Sequence, residues 1–472
     1  MSPYELTVRA LAVVDAAIGV AGSRRTCRGS AFVAGHYARP GQVRELRLDV
    51  EYRFDFDTRR LVALEERSGP AGRSTTRTLA GPMLLYRSRD GAVDSGPFTL
   101  VDVEVAGTAA DAVPEAMLAE ARAHAASLRW LGERVDRGRV VEEVAFSGLA
   151  GRTRTVAFER ASRLPRRVTT LEPDPVRGDE VVDVDYAYTT SERGPTLRRI
   201  ERARGGRMEM MLDCADGART NDDVAIPDGY RTPMANPPLA ATAAVESIAK
   251  GLHAVTFSHI DSRALVYELE DHALVFEAPR DSATGALLLD AARRVTGGKP
   301  IRYLLLTHHH PDHAGGLRPF VAAGIPIVTT PGNVEYLTAL ARAPHALEPD
   351  AQWREPRAPR FEVVRGRRDL GDADGGVVAY DVGPKTHHTD ENLVFYLPAL
   401  QIVFEGDLLD ATVGGARRGG SRASAFFAAL RELDVPIASI VQSWPVRGQM
   451  AMVPMAMLEE WARSSGVPAS PQ

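Results

Sequence analysis

Cysteine is scarce: Cys27 and Cys214 are the only two in 472 residues, which excludes a disulfide framework. A single bridge is the most that pair could form, and the expectation is two separate reduced thiols. Lysine is scarcer still for its class, with Lys250, Lys299 and Lys385 set against 54 arginines. Those arginines are spread among acidic neighbours and the net charge is −5, so no nucleic-acid or other polyanion surface is expected. The imbalance reads as coding bias. Long uncharged apolar runs are missing as well. The run Leu6 to Val20 carries Arg9 and Asp15, which makes it too charged for a membrane span. It also lacks a small-residue cleavage site, so it reads as the body of a helix capped by Ser2-Pro3-Tyr4-Glu5, and a cytoplasmic location is expected. There is no internal repeat and no low-complexity tract apart from Gly414 to Gly420. Finally, none of the 12 histidines lies beyond His388.

The composition that remains, 44% hydrophobic and 25% charged, is that of an ordinary globular protein, and 472 residues suit two domains. The best boundary is Thr232 to Ala240, where Pro233, Pro237 and Pro238 cannot continue a helix or a central strand. The expected organisation is a domain over 1–230, a linker over 231–242 and a second domain over 243–472. In the first half, Leu46, Leu48, Val50, Tyr52, Phe54 and Phe56 alternate with charged residues, the period-two pattern of a strand with one dry face. Val101 to Val105, Val140 to Phe146, Thr153 to Phe158, Val181 to Tyr188, Leu197 to Arg202 and Met208 to Leu212 continue the series. One helix is expected over Pro114 to Leu131. The strand rhythm is similar to that of the open β-barrel of lipoprotein-carrier proteins, although no motif supports it. The expected role is a structural or dimerising partner for the second half, with an apolar ligand in the concavity as the other reading. His36 and His124 stand alone and are expected to be solvated or packed.

In the second half an apolar run, Ile301 and Tyr303 to Leu306, stops at Thr307-His308-His309-His310-Pro311-Asp312-His313-Ala314-Gly315-Gly316. A strand that ends in imidazoles and a carboxylate presents several metal-ligand atoms from one loop, and those donors suit Zn²⁺, Fe²⁺ or Mn²⁺. His308 and His310 point the same way off an extended segment, while Pro311 turns Asp312 and His313 aside. The ligands thus fall into two adjacent groups, as a pair of metals requires.

This stretch resembles the His-x-His-x-Asp-His signature of the metallo-β-lactamase superfamily. The resemblance implies an α+β protein: a C-terminal αββα sandwich with metals at one edge, here preceded by a mostly antiparallel β domain with helices. It also implies a third histidine for the first metal, and His388 in His387-His388-Thr389, before the strand Leu393 to Leu397, matches that place better than His387. It further implies a bridging carboxylate, matched by Asp407 in Ile402-Val403-Phe404-Glu405-Gly406-Asp407. His308, His310 and His388 would then hold one metal, and Asp312, His313 and Asp407 a second. Two departures stand out. The final histidine of complete second sites is missing, with Ser443 or Trp444 near its position, and Glu277 stands where many members have Asp.

The resemblance implies a hydrolase that uses a hydroxide generated at one or two Zn²⁺ ions (Fe²⁺ or Mn²⁺ being the alternatives). Its substrate would be a small-molecule ester, lactone, lactam or related compound, with Asp312 orienting water or returning a proton. The alternatives are an iron-dependent oxidoreductase of the same fold and a catalytically impaired binding or accessory protein.

Overall fold

The computed structural model describes residue 12 and residues 24–55, 57–70, 72–81, 84–94, 110–148, 151–191, 194–215, 224–232, 240–371, 376–411 and 420–464. The expected opening helix, the strand Val101 to Val105, residues 233–239 of the proline-rich stretch and the tract Gly414 to Gly419 lie outside the described residues. Among the described residues, no helix is long and apolar enough to cross a membrane. The chain divides into two compact units. The first comprises Met1–Val33, Val43–Glu172 and Glu180–Leu239, and the second Ala34–Gln42, Pro173–Asp179 and Ala240–Gln472.

The first unit is built on one antiparallel sheet. Its strands are β1 (Arg24–Ala34), β2 (Val43–Asp55), β3 (Arg60–Gly69), β4 (Gly72–Gly81), β5 (Leu84–Arg89) and β6 (Ala92–Val93), then β7 (Arg129–Asp136) and β8 (Arg139–Ser147). They continue as β9 (Thr153–Glu159), β10 (Pro165–Asp174), β11 (Gly178–Ser191), β12 (Gly194–Arg204) and β13 (Arg207–Cys214). The order β6-β5-β4-β3-β2-β1-β13-β12-β11-β10-β9-β8-β7 is two meanders joined by their first and last strands. The alternation read in β2 is real: Leu48, Val50, Tyr52 and Phe54 are buried while their neighbours are not.

Two expectations fail here. Cys27 and Cys214 sit directly opposite each other across the β1–β13 pair and form a disulfide, with Cα atoms 4.0 Å apart. Their separation of 187 residues hid a pairing that the sheet order alone creates. The helix α1 (Pro114–Ala123) is also shorter than its apolar pattern suggested. It ends at His124, and Arg129 onward joins β7, where pairing with β8 exposes Leu131 rather than burying it. Met117, Leu118 and Ala121 of α1 share a core with Leu48, Phe54, Val144, Phe158 and Leu212 of the sheet. Charge is buried there in matched pairs: Arg25 with Glu115 at 2.6 Å and Arg154 with Asp111 at 2.7 Å.

The second unit has two sheets. One runs β14 (Ala243–Ala249), β15 (Leu252–Phe257), β16 (Arg263–Glu268), β17 (Ala273–Phe276), β18 (Ile301–Leu305), β19 (Ile327–Thr329) and β20 (Phe361–Val363), becoming parallel from β17 onward. The other runs β21 (Arg367–Asp369), β22 (Val378–Asp381), β23 (Leu393–Leu397), β24 (Ile402–Glu405), β25 (Ser439–Gln442) and β26 (Val453–Pro454). One core is shared by both sheets, with Phe276 edge-on to Phe395 and Phe404 at 5.6 and 5.4 Å. A second core packs the outer face of the first sheet against α2 (Ser282–Val295) and α4 (Arg318–Ala322), which follows the single turn α3 (Pro311–Ala314). A third packs β22 to β25 against a later helix through Phe426 and Leu430. β17 is a continuous hydrophobic run because it is buried on both faces, and β18 becomes so at Leu304 and Leu305. α2 starts where the Asp281 carboxylate accepts the Thr284 N–H at 2.8 Å. Arg318 is buried and answered by Asp350, with further donation to the carbonyls of Leu340, Ala341 and Ala343.

Two tips from the first half of the sequence belong to this second unit. In the β10–β11 tip, the Asp179 N–H donates to the Pro344 carbonyl at 2.6 Å, and its carboxylate accepts the N–H groups of Ala346 and Leu347. The β1–β2 connection, residues 34–42, is the other.

Candidate metal centre

β18 ends against Leu306 and Thr307, both fully buried, and the chain then bends through Thr307 and His309 to reach His310, whose own backbone is extended. The His308 and His310 rings meet with centroids 4.5 Å apart, while His309 lies between His310, at 4.7 Å, and Tyr336, which it meets edge-on at 5.8 Å. Pro311 opens the short turn α3, whose helical backbone swings Asp312 and His313 away from that line. His388 arrives from the segment before β23, and Asp407 from the end of β24.

His308 Nε2 lies 2.9 Å from His310 Nδ1 and 3.2 Å from His388 Nε2. Asp407 closes this group through Oδ2, 3.4 Å from His388 Nε2 and 3.9 Å from His308 Nε2. Its other oxygen, Oδ1, is 3.1 Å from His313 Nε2, which in turn is 3.7 Å from Asp312 Oδ2. Donor atoms of His308, His310, His388 and Asp407 lie within 4.8 Å of one another, as do those of Asp312, His313 and Asp407. Asp407 is therefore shared, one oxygen facing each group.

These residues fit divalent cations. His313 Nε2 and Asp407 Oδ1 are buried and close, yet they lack hydrogen-bond geometry and make no other hydrogen bond. Buried polar atoms that aim at a common point instead of at each other call for something at that point. Burial, reinforced by neighbouring imidazoles, pushes His308 well below the ordinary histidine range. Burial likewise takes His310 down to about 2 and lowers His388. All three imidazoles are thus neutral and able to ligate at pH 7. Around His313 burial is outweighed by the carboxylates of Asp407, Glu277 and Asp312, which hold its pKa well above the ordinary value. Burial works against the Asp407 carboxylate, but His313 keeps its pKa well below the usual range.

The backbone around these ligands is equally specific. Asp407 adopts a left-handed φ of 64°, a conformation that Asp tolerates better than most residues. A Cβ on Gly406 would stand 2.3 Å from the Thr307 hydroxyl and 3.1 Å from His313 Nδ1, so only glycine lets the chain at Asp407 come this close. Glu277, fully buried, accepts the Thr307 hydroxyl at 2.6 Å and lies 3.4 Å from His313 Nδ1. It supports the ring from the side opposite Asp407, the kind of partner that fixes a ligating histidine.

The six residues singled out in sequence, His308, His310, Asp312, His313, His388 and Asp407, are all brought together. His387 is exposed. Ser443 Oγ lies 3.5 Å from His313 Nδ1, on the Glu277 side rather than among the converging donors, and Trp444 is 40% exposed, so neither replaces the missing histidine. His36 is the residue that sequence reasoning set aside. Its ring stacks on His310 at 4.6 Å between centroids and 17° between planes, and its Nε2 is 3.5 Å from Asp312 Oδ1. No local pattern in residues 34–42 signals this placement.

Residues 261–442 match the family described as the metallo-beta-lactamase superfamily. No curated protein matches the chain. Among solved structures, the chain is similar to the metallo-beta-lactamase FIM-1 from Pseudomonas aeruginosa in a mono-zinc form, with 20% identity over 48% of this chain and 97% of that one, at a TM-score of 0.36. A metallo-beta-lactamase from Erythrobacter litoralis, crystallised with beta mercaptoethanol in its active site, is 18% identical over 47% of this chain and 96% of that one, at a TM-score of 0.34. The DIM-1 metallo-beta-lactamase is 15% identical over 48% and 97%, at 0.36.

Proposed function

We propose, from the premise that the C-terminal half carries a metallo-β-lactamase superfamily domain, that this protein is a metal-dependent hydrolase of a small-molecule ester, lactone, lactam or related substrate. We read residues 243–472 as that domain, an αββα sandwich, residues 231–242 as a linker and residues 1–230 as a separate β domain. The observation that carries the proposal is the convergence of three neutral imidazole nitrogens, His308 Nε2, His310 Nδ1 and His388 Nε2, on one buried point beside Asp407. Three imidazole nitrogens, with the Asp407 carboxylate shared between the two groups, suit a catalytic Zn²⁺ that would also take a water. Bound there, the ion would lower the pKa of water from about 15.7 toward about 7 and polarise an electrophile.

The protein's own residues supply the rest. Asp407 spans both donor groups and orients them toward each other. Asp312 stands at the outer side of the second group, with one oxygen toward His313 and the other toward His36, and its carboxylate is placed to orient water or return a proton to a leaving group. Glu277 keeps Nδ1 of His313 occupied, so that Nε2 faces the centre. Among the described residues the second group has two carboxylates and one imidazole, and so would hold its metal more weakly than the first.

The test is metal content by mass spectrometry in protein purified without added metal, together with turnover of an ester, lactone and lactam panel. Zinc bound by the parent protein, with metal and hydrolysis lost together in His310→Ala, is the expected result. Iron with oxygen uptake would favour an oxidoreductase instead. Metal binding without turnover of any substrate would point to a binding or accessory role.

A further inference from the structure

The two donor groups are held from outside by residues that come from the first half of the sequence. His310 presents Nδ1 to the first group, and its other ring nitrogen, Nε2, lies 3.0 Å from the Tyr37 carbonyl. A carbonyl can only accept, so Nε2 carries the proton and Nδ1 is left with its lone pair toward His308 and His388. One residue earlier, His36 lies flat on the His310 ring with Nε2 3.5 Å from Asp312 Oδ1, the oxygen turned away from His313. One residue later, the Ala38 carbonyl accepts the Asp390 N–H at 2.9 Å, and Arg39 Nε donates to the Asp390 carboxylate at 2.6 Å. Asp390 is two residues beyond His388. Four consecutive residues therefore touch a ligand of the first group, a ligand of the second and the loop that delivers the third histidine. Residues 34–42 are counted within the same compact unit as the donors.

We propose that residues 34–42 are a working part of the metal centre: the Tyr37 carbonyl and the His36 ring fix the orientation of His310 and Asp312 and so set metal affinity and geometry. His36 and Tyr37 are positioning residues here. In a chain without the usual last histidine, the carboxylate of Asp312 is one of three donors of the second group among the described residues, so the neighbour that steadies its outer oxygen matters more than it would in a four-ligand site. The inference rests on the metal reading given above, and it concerns binding and geometry independently of which substrate is turned over.

The experiment titrates metal-free, full-length protein with cobalt(II), following both affinity and the visible absorption bands that report ligand geometry. Compared are the parent protein, His36→Ala, His36→Gln (whose amide keeps a polar N–H group facing Asp312) and Arg39→Ala, which loosens the segment at its Asp390 anchor. Loss of an outer partner of this kind costs about 10–100-fold in metal affinity. That loss is expected in His36→Ala for the weaker equivalent, or for the single one if only one binds, with altered absorption bands and substantial recovery in His36→Gln. Arg39→Ala should weaken binding in the same direction by less, which keeps the test usable if His36→Ala does not fold. Parental affinities and bands in both His36→Ala and Arg39→Ala would overturn the proposal while leaving the metal reading intact. A parent protein that takes up no cobalt would overturn both.

Discussion

The first unit and the candidate metal centre of the second both bury charge, and they answer it differently. In the first, carboxylates meet arginines: Glu115 meets Arg25, and Asp111 meets Arg154, all four being at most 8% exposed as side chains. The cost of burial is visible even so, since it raises Asp111 to about 6 although Arg154 stands 2.7 Å away. In the candidate metal centre the carboxylates of Asp312, Asp407 and Glu277 gather around imidazoles, and Arg422 meets only the backbone carbonyl of Asp407. Buried ions are tolerated when a counter-charge is built in or when one arrives from solution. The first arrangement is complete as the chain folds; the second, on the reading proposed above, takes its counter-charge from a cation.

Breaking the first arrangement should have the largest effect. Arg154→Met strands Asp111 and costs about 3–5 kcal/mol, the usual penalty for removing one partner of a buried pair. Urea unfolding of the full chain measures it, and a loss below 1 kcal/mol would mean that these pairs are not what stabilises the unit. A middle-sized effect is expected at Asp350, an arginine-answered carboxylate inside the second unit. Burial opposes its ionisation, but hydrogen bonds from Arg318 and Ser282 and from the Trp353 N–H hold its pKa down at about 2, against 3.8 for the unpaired group. Because the folded pKa lies below the unfolded one, the stabilisation is present above about pH 4 and is lost as pH falls toward 2. Discounted for partial contact with water, it is worth about 1.5 kcal/mol. Asp350→Asn should therefore be less stable than the parent at pH 7 by that amount, the gap closing between pH 4 and pH 2 in acid-unfolding curves. The smallest stability effect should come from Asp407→Asn in metal-free protein, about 1 kcal/mol or less, because the amide escapes the burial cost that opposes the carboxylate, which offsets the loss of its attraction to His313. The same substitution should abolish binding of the second metal, read by stoichiometry. A large loss of metal-free stability would show that Asp407 serves His313 more than it serves a cation.

How far the molecule could be read in advance follows from sequence distance. The loop from His308 to His313 is legible because an extended segment, a proline and a helical turn fix four ligand directions within six residues. His388 and Asp407 are legible only through their resemblance to a known pattern, each standing at the edge of an apolar strand. The strands of the first unit follow from alternation, yet their pairing does not. Nothing local places β1 beside β13, so the Cys27–Cys214 bridge was unreadable. That bridge also bears on compartment, since structural disulfides persist where conditions are oxidising. The end of α1 was missed because Leu128 and Leu131 extend its apolar stripe, while hydrogen bonds to β8 draw Arg129 onward into the sheet. His36 was missed because a lone histidine beside a turn looks the same whether it faces water or a ligand 274 residues away.

The β1–β2 connection has a consequence in time as well as in space. Tyr37 precedes His310 by 273 residues, and at a synthesis rate of about 5–20 residues per second that gap is roughly 14–55 s. Throughout that interval the nascent chain carries the bracket but not the imidazole it will hold. Ribosome-bound chains halted before His310 would therefore display residues 34–42 to protease, and chains extended past Asp407 would shield them.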